Sequence, residues 1–144
     1  MNTNYNYIIK YLKDFVDANV YLKYFKFSFE DQRDVDLTNT NKFPALYATL
    51  ENITYNEQVK NYNLNLYFLD MLNPNRSNEV DIMNNLDEVI DHFHNYIDND
   101  KIGYVESRGV ANPLNNFTDN RMNGYNLSVT ISFKREQCYK GDNI

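Results

Sequence analysis

The segment from Asn61 to Ile97 constrains the fold of this chain more than any other. Residues 61–70, NYNLNLYFLD, alternate polar and apolar side chains, which is the two-residue period of a half-buried β-strand. The alternation stops at an Asn-Pro-Asn sequence, and apolar residues then recur at three- and four-residue steps as far as Ile97. A strand that leads directly into an amphipathic helix predicts a sheet packed against helices.

The rest of the chain shows the same two periods. A first amphipathic helix is predicted over about Asn4 to Asn19, and the second over about Asn78 to Asp98, with Ser77 or Asn78 as its cap and Val80 in its apolar stripe. Four further strands are predicted: one with Phe25, Phe27 and Phe29 on one face, Ala45 to Leu50 after Pro44, a short one at Ile102 to Glu106, and Tyr125 to Phe133. A turn through Glu51 to Glu57 joins the second strand to the third.

Two long segments lack either period and are predicted as loops. Residues 30–42 are rich in turn formers and acids, and residues 107–124 are long for a connection within a compact domain. The second loop also carries apolar residues, among them Leu114 and Phe117, for which the pattern offers no core within the domain. That combination predicts an arm that contacts another protein. The polar tail, residues 135–144, is expected to order against a partner.

Length and pattern together predict one domain over residues 1–144. The fold class is α+β, with an antiparallel or mixed sheet packed by two amphipathic helices. The net charge of −6 argues against wrapping of DNA or RNA, because that mode of binding requires clustered Lys and Arg. Acidic walls would instead let a duplex slide past without sticking.

No motif in the sequence indicates catalysis, so the chain is not expected to be an enzyme. The single cysteine, Cys138, excludes an internal disulfide, and the glycines fit no phosphate-binding loop. His92 and His94 point to different sides of a helix, and a third ligand with suitable spacing is missing. We therefore expect no metal and no cofactor.

The N-terminus lacks the regions of a signal peptide and no run of residues is long and apolar enough to span a membrane, so folding in a cytoplasm is expected.

Four landmarks resemble a known group of proteins. They are KFPALY at residues 42–47, LNLYFLD at residues 64–70, FTDN at residues 117–120, and GYNLSVTI from Gly124 towards Cys138. With the order of elements around them, they resemble the tail-terminator or neck-ring proteins of tailed phages that infect Bacteroidetes-like hosts, including crAss-like phages. The landmarks are strand patterns and carry no chemical signature, so the resemblance transfers regions of contact and no catalytic residues.

The resemblance implies a tail-terminator-like α+β fold and a structural role in the virion. The chain would form a homo-oligomeric ring in the head-to-tail connector, between portal-side and tail proteins, with genomic DNA passing nearby without specific binding and with no membrane contact. It would be assembled in the host cytoplasm. The residues expected at contacts between subunits are Leu114, Phe117, Asp119 and Arg121, and those expected on an acidic loop facing the channel are Glu30, Asp31, Asp34 and Asp36.

Three alternatives remain open on the sequence. A tail-tube or stopper protein would belong to the same assembly, and a host-interaction protein would act during infection. A small soluble enzyme or ligand-binding module would instead require a deep pocket with perturbed carboxylates.

Overall fold

A computed structural model describes residues 3–29, 42–99, 104–117 and 121–135. The described part contains two helices and one five-stranded sheet. In chain order the elements are α1 (Asn4–Ala18), β1 (Tyr24–Ser28), β2 (Ala45–Tyr55), β3 (Val59–Met71), α2 (Glu79–Asp98), β4 (Val105–Asn116) and β5 (Met122–Lys134). The predicted α+β class, a sheet packed by two helices, is confirmed.

The sheet is mixed, with strand order β1-β2-β3-β5-β4. β1 runs parallel to β2, and the other neighbouring strands are antiparallel. β3 lies at the centre and pairs along its whole length with β5, from Val59 opposite Lys134 to Met71 opposite Met122. The strand that the sequence marks most clearly is therefore the middle of the sheet.

Both helices cover the same face of the sheet. The apolar positions of β3 and β5 alternate onto this face and are fully buried there, as Leu64, Leu66 and Leu127 show. α1 contributes Ile8, Leu12, Phe15 and Val16 to this core, and α2 contributes Ile82, Leu86, Val89, Ile90 and Phe93. Burial of these side chains is the main stabilising term of the fold.

Several element boundaries differ from the prediction. β2 continues to Tyr55 through an irregularity between Leu50 and Asn52, so most of the expected turn is strand. β1 ends at Ser28, and Phe29 lies beyond it with 64% of its surface exposed. Val80 is 70% exposed because the buried stripe of α2 begins at Ile82 instead.

The largest error concerns residues 107–124, which were expected to form a loop. Residues up to Asn116 belong to β4, and β5 already begins at Met122. The pattern concealed β4 because its register against β5 shifts between Ser107 and Ala111, where Gly109 adopts a positive φ of 75°. Such a bulge interrupts the two-residue period on which the prediction of a strand rests.

β4 is an outer strand of the sheet and carries two features that oppose pairing with a further strand. The first is the bulge at Gly109, which disrupts the regular edge. The second is Pro113, which has no N–H to donate. Uncontrolled addition of strands to this edge is therefore disfavoured.

Gly124 allows β5 to lie against β3, and its substitution tests the packing at this point. A Cβ atom at this position would lie 1.8 Å from the carbonyl oxygen of Phe68. Because the obstacle is backbone in the central strand, we expect Gly124→Ala to lower the free energy of unfolding by at least about 2 kcal/mol. The measurement is urea unfolding followed by circular dichroism.

Gly109→Ala provides the matched control. No atom lies within 4 Å of a Cβ built on Gly109, so only its positive φ opposes the substitution. The expected loss is about 1 kcal/mol. Equal losses for the two variants would contradict the close approach of β5 to β3.

Candidate interaction surface

The face of the sheet that points away from the helices carries an array of uncharged polar side chains. We call this array the amide ladder. It consists of Asn52 and Thr54 on β2, Asn61, Asn63 and Asn65 on β3, and Asn126, Ser128, Thr130 and Ser132 on β5. They share one face because alternate residues of each strand point the same way and the register places them opposite one another.

Hydrogen bonds connect the ladder across the three central strands. The hydroxyls of Thr130 and Ser132 donate to the side-chain oxygens of Asn63 and Asn61, over 2.8 and 2.6 Å. The amide of Asn63 in turn donates to Asn52 over 2.7 Å. Asn63 is 94% buried by these neighbours, since only 6% of its surface is exposed. The ladder is thus an ordered surface held in register by its own bonds.

The same face becomes apolar towards the end of β3. There a second cluster, which we call the aromatic cluster, is built on the buried side chains of Phe43, Ala45, Tyr47, Leu69 and Met122. Half-buried residues surround them: Tyr24, Tyr67, Met71, Leu114 and Phe117. The ring of Phe117 stacks on that of Tyr67 with 5.6 Å between centroids. Aromatic and Met side chains of this kind are enriched where proteins bind one another.

Two of the four residues predicted at subunit contacts belong to the aromatic cluster. Leu114 and Phe117 pack against it, so the expectation that they have no core within the domain is wrong. Arg121 is exposed, and its backbone oxygen accepts a hydrogen bond from the N–H of Leu72 over 2.8 Å. Asp119 lies outside the described residues. The structure therefore places Leu114 and Phe117 on the face that carries the amide ladder.

The predicted acidic loop, with Glu30, Asp31, Asp34 and Asp36, lies outside the described residues, as does nearly all of the polar tail.

The described acidic surface lies on α2 instead. This helix contains no Lys or Arg, and Asp81, Asp87, Glu88 and Asp91 are all exposed. On α1, by contrast, Lys10 and Lys13 pair with acids one turn away. Negative charge is therefore concentrated on the helical side of the molecule.

His94 takes part in a contact that the sequence did not predict. Its Nε2 atom lies 2.9 Å from the hydroxyl of Ser107 on β4, and that hydroxyl also accepts the N–H of Gly109 over 3.1 Å. These residues border a shallow cavity of about 280 Å³. Asp98, the expected helical neighbour of His94, makes no ion pair with it among the described residues. The contact joins α2 to the bulge of β4.

A second cavity lies between the ends of the two helices. It measures about 340 Å³ and is lined in part by Phe15, Val20, His92 and Tyr96. The side-chain amide of Asn19 lies 3.3 Å from Nδ1 of His92 at its border. Within the described residues no group of His, Cys, Asp and Glu side chains is arranged to hold a metal ion.

Asp70 is a carboxylate with a shifted pKa. Burial at the end of β3 raises its pKa, although the N–H of Met71 and the charge of Lys23 oppose the shift. Asp70 lines neither of the two cavities described above. The shift therefore has a consequence for stability, because each protonation state of Asp70 has a different free energy in the folded protein.

Comparison with known protein families and with curated protein sequences finds no match for this chain. In the ranges that the structure describes, neither helix combines the length and apolar character needed to cross a bilayer.

The raised pKa of Asp70 makes stability depend on pH. Its folded-state pKa lies above the unfolded value, so its contribution is fully present below the unfolded pKa and is lost as the pH rises through the folded pKa. We expect Asp70→Asn to remove this loss, so that the variant gains stability relative to the wild type between acidic and neutral pH. Urea unfolding over a pH series measures the difference, and a difference that stays constant with pH would contradict the assignment.

The bond between Asn63 and Thr130 tests whether the ladder stabilises the sheet. Removing the Asn63 amide leaves polar partners on two strands unsatisfied, so Asn63→Ala should cost about 1 to 2 kcal/mol. In a double-mutant cycle with Thr130→Ala, we expect a coupling energy of about 1 kcal/mol. The same cycle between Asn63 and Ser132, which share no hydrogen bond in the described network, should give a smaller coupling.

Proposed function

We propose that this protein is a structural virion protein, a ring-forming subunit of the head-to-tail connector of a tailed phage. In this role it is a neck or tail-terminator protein that surrounds the channel through which DNA passes. Its partners are copies of itself and the neighbouring portal-side and tail proteins. The protein performs no chemical step.

The observation that carries the proposal is the separation of charge between the two sides of the molecule. The exposed side of α2 carries only acidic charge, whereas the amide ladder carries none. An acidic wall repels DNA phosphates and lets a duplex pass without binding. An uncharged face allows subunits of equal net charge to approach one another. Both properties suit a subunit of a ring around DNA.

The protected edge of β4 also supports a closed assembly. A flat outer strand with all its donors free would add further strands without limit, which leads to fibres or aggregates. The bulge and Pro113 oppose this mode of growth. Contacts between side chains on defined faces can instead close a ring.

The oligomeric state of the purified chain tests the proposal directly. We expect closed rings in native mass spectrometry and in negative-stain images, at micromolar concentration and moderate salt. A chain that stays monomeric at every concentration, alone and with the adjoining connector proteins, would overturn the proposed function.

Phe117→Ala tests the predicted contact residue at the border of the aromatic cluster. The side chain is only half-buried, so its removal should cost about 1 to 2 kcal/mol, less than a fully buried Phe. We expect the monomer to remain folded while assembly weakens at least tenfold, because aromatic anchors contribute strongly to contacts between proteins. Mass photometry over a concentration series measures assembly.

Phe133→Ala is the matched control. Phe133 is also half-buried, but it packs on the helical side against Tyr7 and Tyr62. The Phe133→Ala variant should lose a similar amount of stability and should assemble as the wild type does. Equal loss of assembly in both variants would show that stability, and not the aromatic cluster, controls the association.

A further inference from the structure

We infer that the amide ladder, together with the half-exposed border of the aromatic cluster, is the surface that a neighbouring copy of this chain covers. The inference rests on the proposed function in that it takes the partner to be a second copy. The inference specifies the face of the subunit that the second copy buries. The contact then includes the central strands as well as the residues around Phe117.

The distribution of charged residues over the surface indicates which face a second copy covers. Every copy has a net charge of −6, so two copies repel one another at long range. Contact through α2 would bring its exposed acids against another acidic surface, with no Lys or Arg on that helix to offset them. The ladder positions on β2, β3 and β5 are all Asn, Ser or Thr. Lys26 and Glu106 on the outer strands and Lys134 at the end of β5 share this face and lie around the ladder. The centre of the ladder can therefore be desolvated without burying an unpaired charge.

The chemistry of the ladder suits a contact with protein. A side-chain amide offers two donors and two acceptor lone pairs. The side-chain oxygen of Asn65 accepts a hydrogen bond from the hydroxyl of Ser128 over 3.3 Å. Asn65 and Ser128 are half-exposed, and Asn52 and Thr54 are exposed. These groups can therefore bond to a second surface while the bonds within the ladder hold them in position.

The size of the face suits a specific contact. β3 and β5 have 13 residues each, which corresponds to a length of about 40 Å at about 3.3 Å per residue. The three strands of the ladder, at about 4.8 Å separation, give a width of about 14 Å. The ladder strands thus span about 560 Å², and the border formed by β1 and β4 extends this area towards the roughly 800 Å² that each partner buries in a standard interface. The aromatic border, with Tyr67 and Phe117, supplies anchors of the kind that dominate binding energy.

An arginine in the middle of the ladder tests the inference. Asn65→Arg places an unpaired charge on the half-exposed centre of the face, and its burial by a neighbour is unfavourable. Asn85→Arg is the control, because it makes the same change of residue and of net charge on the exposed side of α2. Both variants are compared with the full-length wild type by mass photometry over a concentration series, after circular dichroism has established that they are folded.

We expect Asn65→Arg to raise the concentration at which half of the chains are assembled by at least tenfold, and Asn85→Arg to leave it unchanged or lower it. If the wild type and both variants assemble alike, the inference is overturned while the proposed function stands. If the wild type never associates, the proposed function fails, and the inference fails with it. Should Asn65→Arg prevent folding, Thr54→Arg makes the same test at an exposed position of the ladder.

Discussion

The structure depends on the alternation of side chains along β3. Leu64, Leu66 and Phe68 face the helices and are completely buried, while Asn61, Asn63 and Asn65 face the other way. Because β3 is the central strand, its two-residue period fixes the register of β2 and β5. A slip of one residue would bring the Asn side chains into the core and expose the Leu side chains. The buried core and the amide ladder are therefore two consequences of one pattern.

Periodicity predicted the elements that bury one regular face. α1, α2, β3 and β5 were found close to their expected bounds, because the spacing of residues reflects the burial of an apolar stripe directly. β2 has the expected start but continues to Tyr55, beyond its predicted end at Leu50. Only the start of β4 falls within the predicted short strand at Ile102 to Glu106. The rest was predicted as a loop, because the bulge at Gly109 breaks the alternation and because Pro113 and the Asn residues are typical of loops. Nothing local in the sequence distinguishes such an edge strand from a loop, because pairing with β5 decides the outcome.

The candidate surface was harder to predict than the fold. The Asn residues of β3 and the hydroxyls of β5 were visible in the sequence as the polar half of two alternating strands. Their meeting depends on the antiparallel register, which places Asn63 opposite Thr130 and Asn61 opposite Ser132. Leu114 and Phe117 were predicted to contact another subunit, because the sequence pattern showed no core for them within the domain. Their partner within the chain is the aromatic cluster, which forms only when the ends of β2, β3 and β5 come together.

The two sides of the sheet differ in charge, and this difference bears on the proposed association of the subunits. Repulsion between copies acts over about 10 Å in ordinary salt, whereas the contact itself depends on groups within hydrogen-bonding distance. The exposed acids of α2 keep the side opposite to the ladder hydrated, and a bulged, proline-containing edge resists open-ended growth. The ladder face is hydrogen-bonded and uncharged at its centre. Association through that face removes the least hydration from charged groups, so it is the contact that such a charge distribution favours.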